Sequence, residues 1–132
     1  MDTTEVIANR WKCQFAENSK VFSFNGVIPE MNHNEIVGWD LLKNVLNKFA
    51  VVFLRDDKDE IKLNKRIDVT KAMISSKAKV VREVFSTGES SLARLFSLVF
   101  LGDFTSVYLS LLYNIDPTPI KAIDHLKKEL AK

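Results

Sequence analysis

The sequence has few of the residues that cross-link a chain or interrupt its helices and strands. It has one cysteine, Cys13, together with four glycines and three prolines in 132 residues. A single thiol excludes a disulfide framework and a cysteine-based zinc site, and it fits the reducing environment of a cytoplasmic protein. Because a chain of 132 residues has the length of one domain and so few Gly and Pro residues, we predict one domain over residues 1–132 without an internal linker. Asp2 and Glu5 lie where a signal peptide would have basic and apolar residues, so no secretory signal is expected.

The sequence also lacks a strong excess of one charge. Nineteen Lys and Arg residues against 17 Asp and Glu residues give a net charge of +2, too little to predict a nucleic-acid partner. Apolar residues make up 46% of the chain and charged residues 27%, which is typical of a soluble globular domain.

One run has the length of a membrane span. Residues 95–115 contain a single charge, Asp103, near the middle of the run. A carboxylate at the bilayer centre costs roughly 2.5–3.5 kcal/mol, so a buried helix of a globular protein is the better interpretation. We therefore expect no membrane partner.

Hydrophobic spacing predicts strands that alternate with helices. Helices are predicted over residues 4–20, 33–47, 56–77, 91–113 and 120–131, the fourth being the central buried one. The apolar run 49–55 and the β-branched run 79–85 predict strands of a parallel sheet. Residues 21–28 form either a third strand or a turn at Asn25-Gly26. The fold class is α/β, a three-layer αβα sandwich around a short parallel sheet.

The last predicted helix carries a lysine on its apolar side. Ile120, Ile123, Leu126 and Leu130 form one stripe at 100° per residue, and Lys127 projects within it. Such a lysine either lays its stem over the core or enters a pocket.

His33 lies in a polar segment where Asn32 and Glu35 have the spacing of a helix-capping box. In the first turn of a helix, the positive end of the dipole favours a neutral imidazole, which can accept or donate a proton. A solvated histidine without a function is the alternative.

Glu17 falls in the last turn of the first predicted helix, where the negative end of the dipole makes a carboxylate a better base. The alternative is a surface residue paired with Lys20. Residues 86–91 could cradle a phosphate at a helix N-terminus, but Glu89 opposes an anion and favours plain capping. Cys13, Trp11, Trp39 and the nine phenylalanines are expected in the core.

Three segments together resemble a known family. They are RWKCQFAENSK at 10–20, PEMNHNEIVGW at 29–39 and LARLFSLVFLGD at 92–103, and DPTP at 116–119 also fits. They are similar, in the same order, to the C-terminal half of the bifunctional phosphoglucose/phosphomannose isomerases. The resemblance covers nearly the whole chain.

The resemblance implies a sugar isomerase (SIS) domain and a reaction without metal or cofactor. Glucose 6-phosphate or mannose 6-phosphate would be converted to fructose 6-phosphate through a cis-enediolate. Glu17 matches the family's base, His33 its ring-opening histidine and Lys127 the lysine at the ring oxygen. Thr118 resembles a substrate-binding threonine that tolerates the C2 epimer.

The chain departs from the family in length, because its members are roughly twice as long. The missing half would hold the sugar phosphate, so weak activity is expected from this chain alone. Related isomerases complete the site with a histidine from a second subunit. The implied partners are a homodimer or an N-terminal SIS domain, and the rival function is a catalytically silent SIS module for sugar-phosphate binding or dimerisation.

Overall fold

The computed structural model describes residues 3–41 and 43–132. Five α-helices and two β-strands follow one another along this part of the chain: α1 (Thr3–Asn18), α2 (Lys43–Leu46), β1 (Ala50–Arg55), α3 (Ile61–Ser75), β2 (Val80–Phe85), α4 (Ser91–Leu112) and α5 (Lys121–Leu130). Two 3-10 helices, Glu30–Asn32 and Glu35–Asp40, lie between α1 and α2.

The two strands pair in parallel, as the sequence predicted. Their register runs from Ala50 opposite Val80 to Arg55 opposite Phe85, and α3 makes the crossover between them. This helix begins at Ile61 rather than at residue 56, because Asp56 and Asp59 first form a turn. The Asp56 carboxylate accepts from the Lys58 N–H at 2.9 Å, and the Asp59 carboxylate accepts from the Asp56 N–H at 3.1 Å.

Helices cover both faces of the sheet, which confirms the three-layer αβα architecture. On one face, Leu54 and Val84 pack against a cluster of Ile7, Trp11 and Leu98 from α1 and α4. On the other face, the side chains packed around Phe53 come from β1, β2, α3 and the segment before α2: Ile67, Ile74, Val51, Val81, Leu63, Ile28, Ile36 and Trp39. Successive strand residues point to opposite faces, so Phe53 and Leu54 face different layers.

A ridge on α4, made of one leucine and three small residues, lets α1 approach closely. Its members are four residues apart and buried: Leu98, Gly102, Ser106 and Ser110. The Ser19 hydroxyl donates to the Ser106 carbonyl at 2.6 Å, and Arg10 forms a bidentate ion pair with Asp103 at 3.0 and 2.7 Å. The single charge of the apolar run is therefore neutralised by α1.

The 86–90 loop caps α4, as predicted. The Ser90 hydroxyl accepts a hydrogen bond from the Ala93 N–H at 3.1 Å. This bond satisfies one of the free N–H groups at the start of the helix.

Two predicted elements are wrong. Residues 21–27 form neither a strand nor a turn, and the described part of residues 33–47 is divided between the second 3-10 helix and α2. Asn32 does not cap a helix, because its side-chain amide donates to Thr70 of α3 at 2.8 Å. Asn34 caps instead, since its side chain accepts from the Glu35 N–H at 2.6 Å.

The predicted core was also too large. Trp11 and Phe53 are buried, whereas Cys13 is exposed. α4 is not enclosed on all sides, because its outer phenylalanines are exposed. The sequence shows how apolar α4 is, but it does not show how many elements surround it.

Candidate functional site

A pocket of about 470 Å³ opens between the end of α1 and the start of α5. Its lining includes Glu17 and Lys20 from the first motif, together with residues 115–116 and 119–123. Two regions nearly 100 residues apart in sequence thus meet at one concave surface.

Two left-handed residues shape the ends of the helices that lead to this pocket. Lys20 has a φ of 58° just after α1, and Asn114 has a φ of 53° just after α4. At Asn114 the Ile115 N–H donates to the Ser110 carbonyl at 2.9 Å, and the Asn114 N–H donates to the Leu111 carbonyl at 3.0 Å. This is the Schellman pattern, which turns the chain sharply at a helix end. It directs residues 115–120 back toward α1.

Lys20 holds the pocket together through its ammonium group. Its Nζ donates to the Glu17 carbonyl at 2.5 Å and to the Pro117 carbonyl at 3.2 Å. The expected ion pair between the Glu17 carboxylate and Lys20 is absent from the described residues, so this pairing is wrong, although Glu17 is exposed as that alternative expected. Within residues 3–41 and 43–132 the Glu17 carboxylate has no hydrogen-bond or ion-pair partner and stays free toward the pocket.

Asp116 adds a second carboxylate to the pocket wall. Its side chain accepts from the Thr118 N–H at 2.9 Å. Hydrogen bonds from the Thr118 backbone and side chain, with a smaller contribution from the charge of Lys20, lower the pKa of Asp116 below its ordinary value. The pocket therefore has an ionised aspartate that fixes the turn containing Thr118.

Thr118 is not among the residues that line this pocket, although it lies in the chain between two of them, Asp116 and Pro119. Of the four predicted site residues, the fold therefore places only Glu17 in the pocket wall, and Thr118 lies in the turn that Asp116 orders. Thr118 is exposed, and its backbone N–H is the donor that orders the turn.

His33 lies in a different layer. It caps the first 3-10 helix, and its N–H donates to the Glu30 carbonyl at 2.8 Å. The flanking side chains Ile28 and Ile36 pack on the sheet face that α3 covers, whereas α1 covers the opposite face. The histidine is exposed and not in the first turn of an α-helix, so the predicted effect of a helix dipole is wrong.

Lys127 lies one turn beyond the part of α5 that lines the pocket. The helix forms where predicted, but its apolar stripe is not covered: Ile123, Leu126 and Leu130 are all exposed. Lys127 is exposed with them, so the structure provides no core for its stem to lie on.

Arg55, which was not predicted from the sequence, is buried at the end of β1. It pairs with Glu83 of β2 and donates to Asn64 of α3 at 2.7 Å. The available signal in the sequence was a charged residue at the end of the apolar run 49–55. In the described part of the chain, no group of three or more His, Cys, Asp or Glu side chains is placed to hold a metal ion.

Comparison with known proteins gives a consistent result. Residues 1–130 match the family described as bacterial phospho-glucose isomerase C-terminal SIS domain. Bifunctional phosphoglucose/phosphomannose isomerases from Caldicellulosiruptor bescii and Aquifex aeolicus are 49% and 41% identical to this chain, each over 98% of its length. The chain spans about two-fifths of these relatives, 38% and 40% respectively.

A solved structure shares the fold. A glucose-6-phosphate isomerase like protein from Thermus thermophilus superimposes with a TM-score of 0.70 at 23% identity. The match covers 93% of this chain and 39% of that one.

Proposed function

Because this chain belongs to the bacterial phosphoglucose isomerase C-terminal SIS domain family, we propose that it forms part of the active site of a sugar-phosphate isomerase. The substrates are glucose 6-phosphate and mannose 6-phosphate, and the product is fructose 6-phosphate. The observation that carries this proposal is the Glu17 carboxylate, which lines a pocket large enough for a sugar and has no partner in the described residues.

Glu17 is the base of the proposed reaction. Its carboxylate removes the proton from C2 of the open-chain aldose; that electron pair forms the C1–C2 double bond while the carbonyl pair moves onto O1, which gives a cis-enediolate. A proton then passes from O2 to O1, and the same carboxylate returns its proton to C1 as the C2–O double bond of the ketone forms. A base for such a transfer has to reach the substrate carbon directly, which a carboxylate already held by a lysine does less well.

Lys20 and Asp116 are proposed to position this base. Lys20 bridges the last turn of α1 and the turn at Pro117, and Asp116 holds Thr118. Thr118 would then contact the sugar near C2, where the two epimeric substrates differ. The positioning is supported by backbone hydrogen bonds, so a small change at Lys20 would move Glu17 and Thr118 together.

His33 and Lys127 are proposed to open the sugar ring by proton transfer at the ring oxygen. Because His33 lies on the sheet face opposite to α1, we propose that it acts in the site of another subunit. Lys127, on a helix that extends from the pocket with no buried residue, would likewise be placed only when a partner covers α5.

We propose that residues 1–132 are one SIS domain, equivalent to the C-terminal half of a two-domain isomerase in the cytoplasm. An N-terminal SIS domain or a second copy would complete the site, and binding of the phosphate there would help to drive the reaction at the other end of the substrate. The chain alone is therefore expected to have little activity.

The test is a coupled assay of glucose 6-phosphate formation from fructose 6-phosphate, with and without a separately expressed N-terminal half of a relative. Activity should rise on mixing, and Glu17→Gln should lower it by about 10²–10⁴-fold, the usual contribution of a general base. Glu5→Gln, in the first turn of the same helix, is the matched control and should leave the rate unchanged. An active Glu17→Gln assembly would disprove the role of Glu17, and sugar-phosphate binding without turnover would favour a silent module.

A further inference from the structure

The two residues that follow Glu17 are both hydrogen-bonded to Ser106 of α4. The Asn18 side-chain amide donates to the Ser106 hydroxyl at 2.8 Å, and the Ser19 hydroxyl donates to the Ser106 carbonyl at 2.6 Å. Ser19 and Ser106 are completely buried. We call Asn18, Ser19 and Ser106 the polar junction, because it joins the end of α1 to α4.

Every polar side-chain hydrogen of the junction has an acceptor. The Ser106 hydroxyl donates to the Asp103 carbonyl at 2.7 Å, which leaves its lone pairs free to accept from Asn18. The Asn18 amide has two hydrogens, and besides Ser106 it donates to Gln14 Oε1 at 2.9 Å. A buried network that is satisfied in this way specifies one arrangement of the elements that it joins.

The junction fixes the part of α1 that other contacts with α4 do not reach. α4 has the length and hydropathy of a membrane span, but one side of it is covered by α1. Arg10 and Trp11, in the middle of α1, donate to Asp103 and to the Leu98 carbonyl. Among the described hydrogen bonds between these helices, those of the junction lie nearest to Glu17, and the last turn of a helix otherwise frays readily.

From these observations we infer that Ser106 is a positioning residue for Glu17. By accepting from Asn18 and Ser19 it sets the rotation of the last turn of α1, and so the direction of the Glu17 carboxylate toward the pocket. Neighbouring helical residues are about 100° apart, so a rotation that moves Asn18 away from Ser106 also displaces Glu17. This inference deepens the proposed function and rests on it, because it takes Glu17 as the base.

Ser110 provides a matched control one turn further along α4. It is also completely buried, and its hydroxyl donates to the Val107 carbonyl at 2.6 Å, just as Ser106 donates to Asp103. Within the part of the chain that the structure describes, no side chain of α1 donates to the Ser110 hydroxyl. Ser106→Ala and Ser110→Ala therefore remove the same group from similar surroundings, but only Ser106→Ala removes a contact with α1.

The first experiment compares these two variants in the coupled isomerase assay, with the N-terminal half present. Ser106→Ala should lower kcat by about 10–100-fold and leave KM nearly unchanged, because a base misplaced by about 1 Å loses rate while the substrate still binds. Ser110→Ala should keep the wild-type kcat. Urea denaturation should show similar losses of stability for both, since each loses one buried hydroxyl.

Asn18→Ala removes the same hydrogen bond from the side of α1. It should lower kcat to a similar extent, and it replaces Ser106→Ala if that variant does not fold. The double variant should be no slower than Ser106→Ala, because two changes that act through one bond are not additive. Fully additive losses would place the two residues in separate roles and overturn the inference.

The second experiment measures the orientation of the last turn without relying on activity. The N–H residual dipolar couplings of residues 15–20 in the 132-residue chain should change in Ser106→Ala and stay as in the wild type in Ser110→Ala. Unchanged couplings in Ser106→Ala, or equal losses of kcat in the two serine variants, would overturn the inference. Changed couplings together with an active Glu17→Gln assembly would support the positioning of this turn and disprove only the role of Glu17 as the base.

Discussion

Gly102 faces the indole of Trp11 so closely that an added Cβ would lie 2.2 Å from Trp11 Nε1. The indole N–H donates to the Leu98 carbonyl, one helical turn earlier on α4, at 2.8 Å. Glycine at this position thus creates the space in which a buried tryptophan can satisfy its polar group. Two of the motifs that carry the family resemblance meet at this contact, and Glu17 lies further along the same helix, in its last turn.

Gly102→Ala should destabilise the protein by about 1–3 kcal/mol, the usual cost of overpacking a core. The direction of the change in the free energy of unfolding is informative, because Gly→Ala in an unobstructed helix stabilises by about 0.5–1 kcal/mol. Urea denaturation followed by fluorescence gives the free energy of unfolding. Gly38→Ala is the matched control, since a Cβ there would meet no atom within 4 Å. Equal effects at both positions would contradict the close contact with Trp11.

Trp11→Phe should lower the free energy of unfolding by about 1–3 kcal/mol. The substitution removes the hydrogen bond to Leu98 and leaves a small cavity in the α1–α4 cluster. Trp39→Phe serves as the comparison, because Trp39 is only partly buried against the other cluster. Thermal unfolding by circular dichroism ranks the two variants, and a larger loss at Trp39 would be inconsistent with the packing described above.

The pKa of Asp116 should lie below the ordinary aspartate value of about 3.9. The folded state favours the ionised form, so the stabilising contribution of this group is complete above the unfolded pKa. It is lost as the pH falls through the lower, folded pKa. NMR titration of the Asp116 carboxyl carbon measures the midpoint directly.

Lys20→Met should raise that midpoint only in part. The hydrogen bonds from Thr118 are the larger cause of the low pKa, and they remain when the lysine charge is removed. If the variant brought the pKa fully back to the ordinary value, the charge of Lys20 and not the turn would be its main cause.

Mixed assemblies can test whether His33 acts in another subunit's site. With the N-terminal half present, Glu17→Gln and His33→Asn chains should each be inactive, but mixing them should restore about a quarter of the rate of the wild-type assembly. This is expected because a hybrid dimer holds one site with both native residues, and half of the randomly mixed dimers are hybrids. The coupled isomerase assay is the readout. No recovery after unfolding and refolding the mixture would place both residues in the site of a single chain.

Local sequence was sufficient to predict the helices and strands whose own residues favour the observed structure. α1, β1, β2 and α5 form within a few residues of their predicted bounds, because their hydrophobic spacing and end residues agree. The segment at residues 21–40 was not predictable in this way. Its conformation depends on contacts with distant residues, such as the hydrogen bond from Asn32 to Thr70, and no local pattern encodes these.

The candidate site was likewise predictable from the sequence only in part. The sequence by itself determined the αβα layers and placed Glu17 at a helix end and Thr118 in a rigid turn, since periodicity and turn chemistry are local properties. Only the tertiary structure decided that Lys20 bonds to backbone carbonyls and leaves Glu17 free, that His33 lies on the other face of the sheet, and that the outer face of α4 is uncovered. These features depend on which surfaces meet in space, and burial on a given side is a property of the packed layers rather than of any single element.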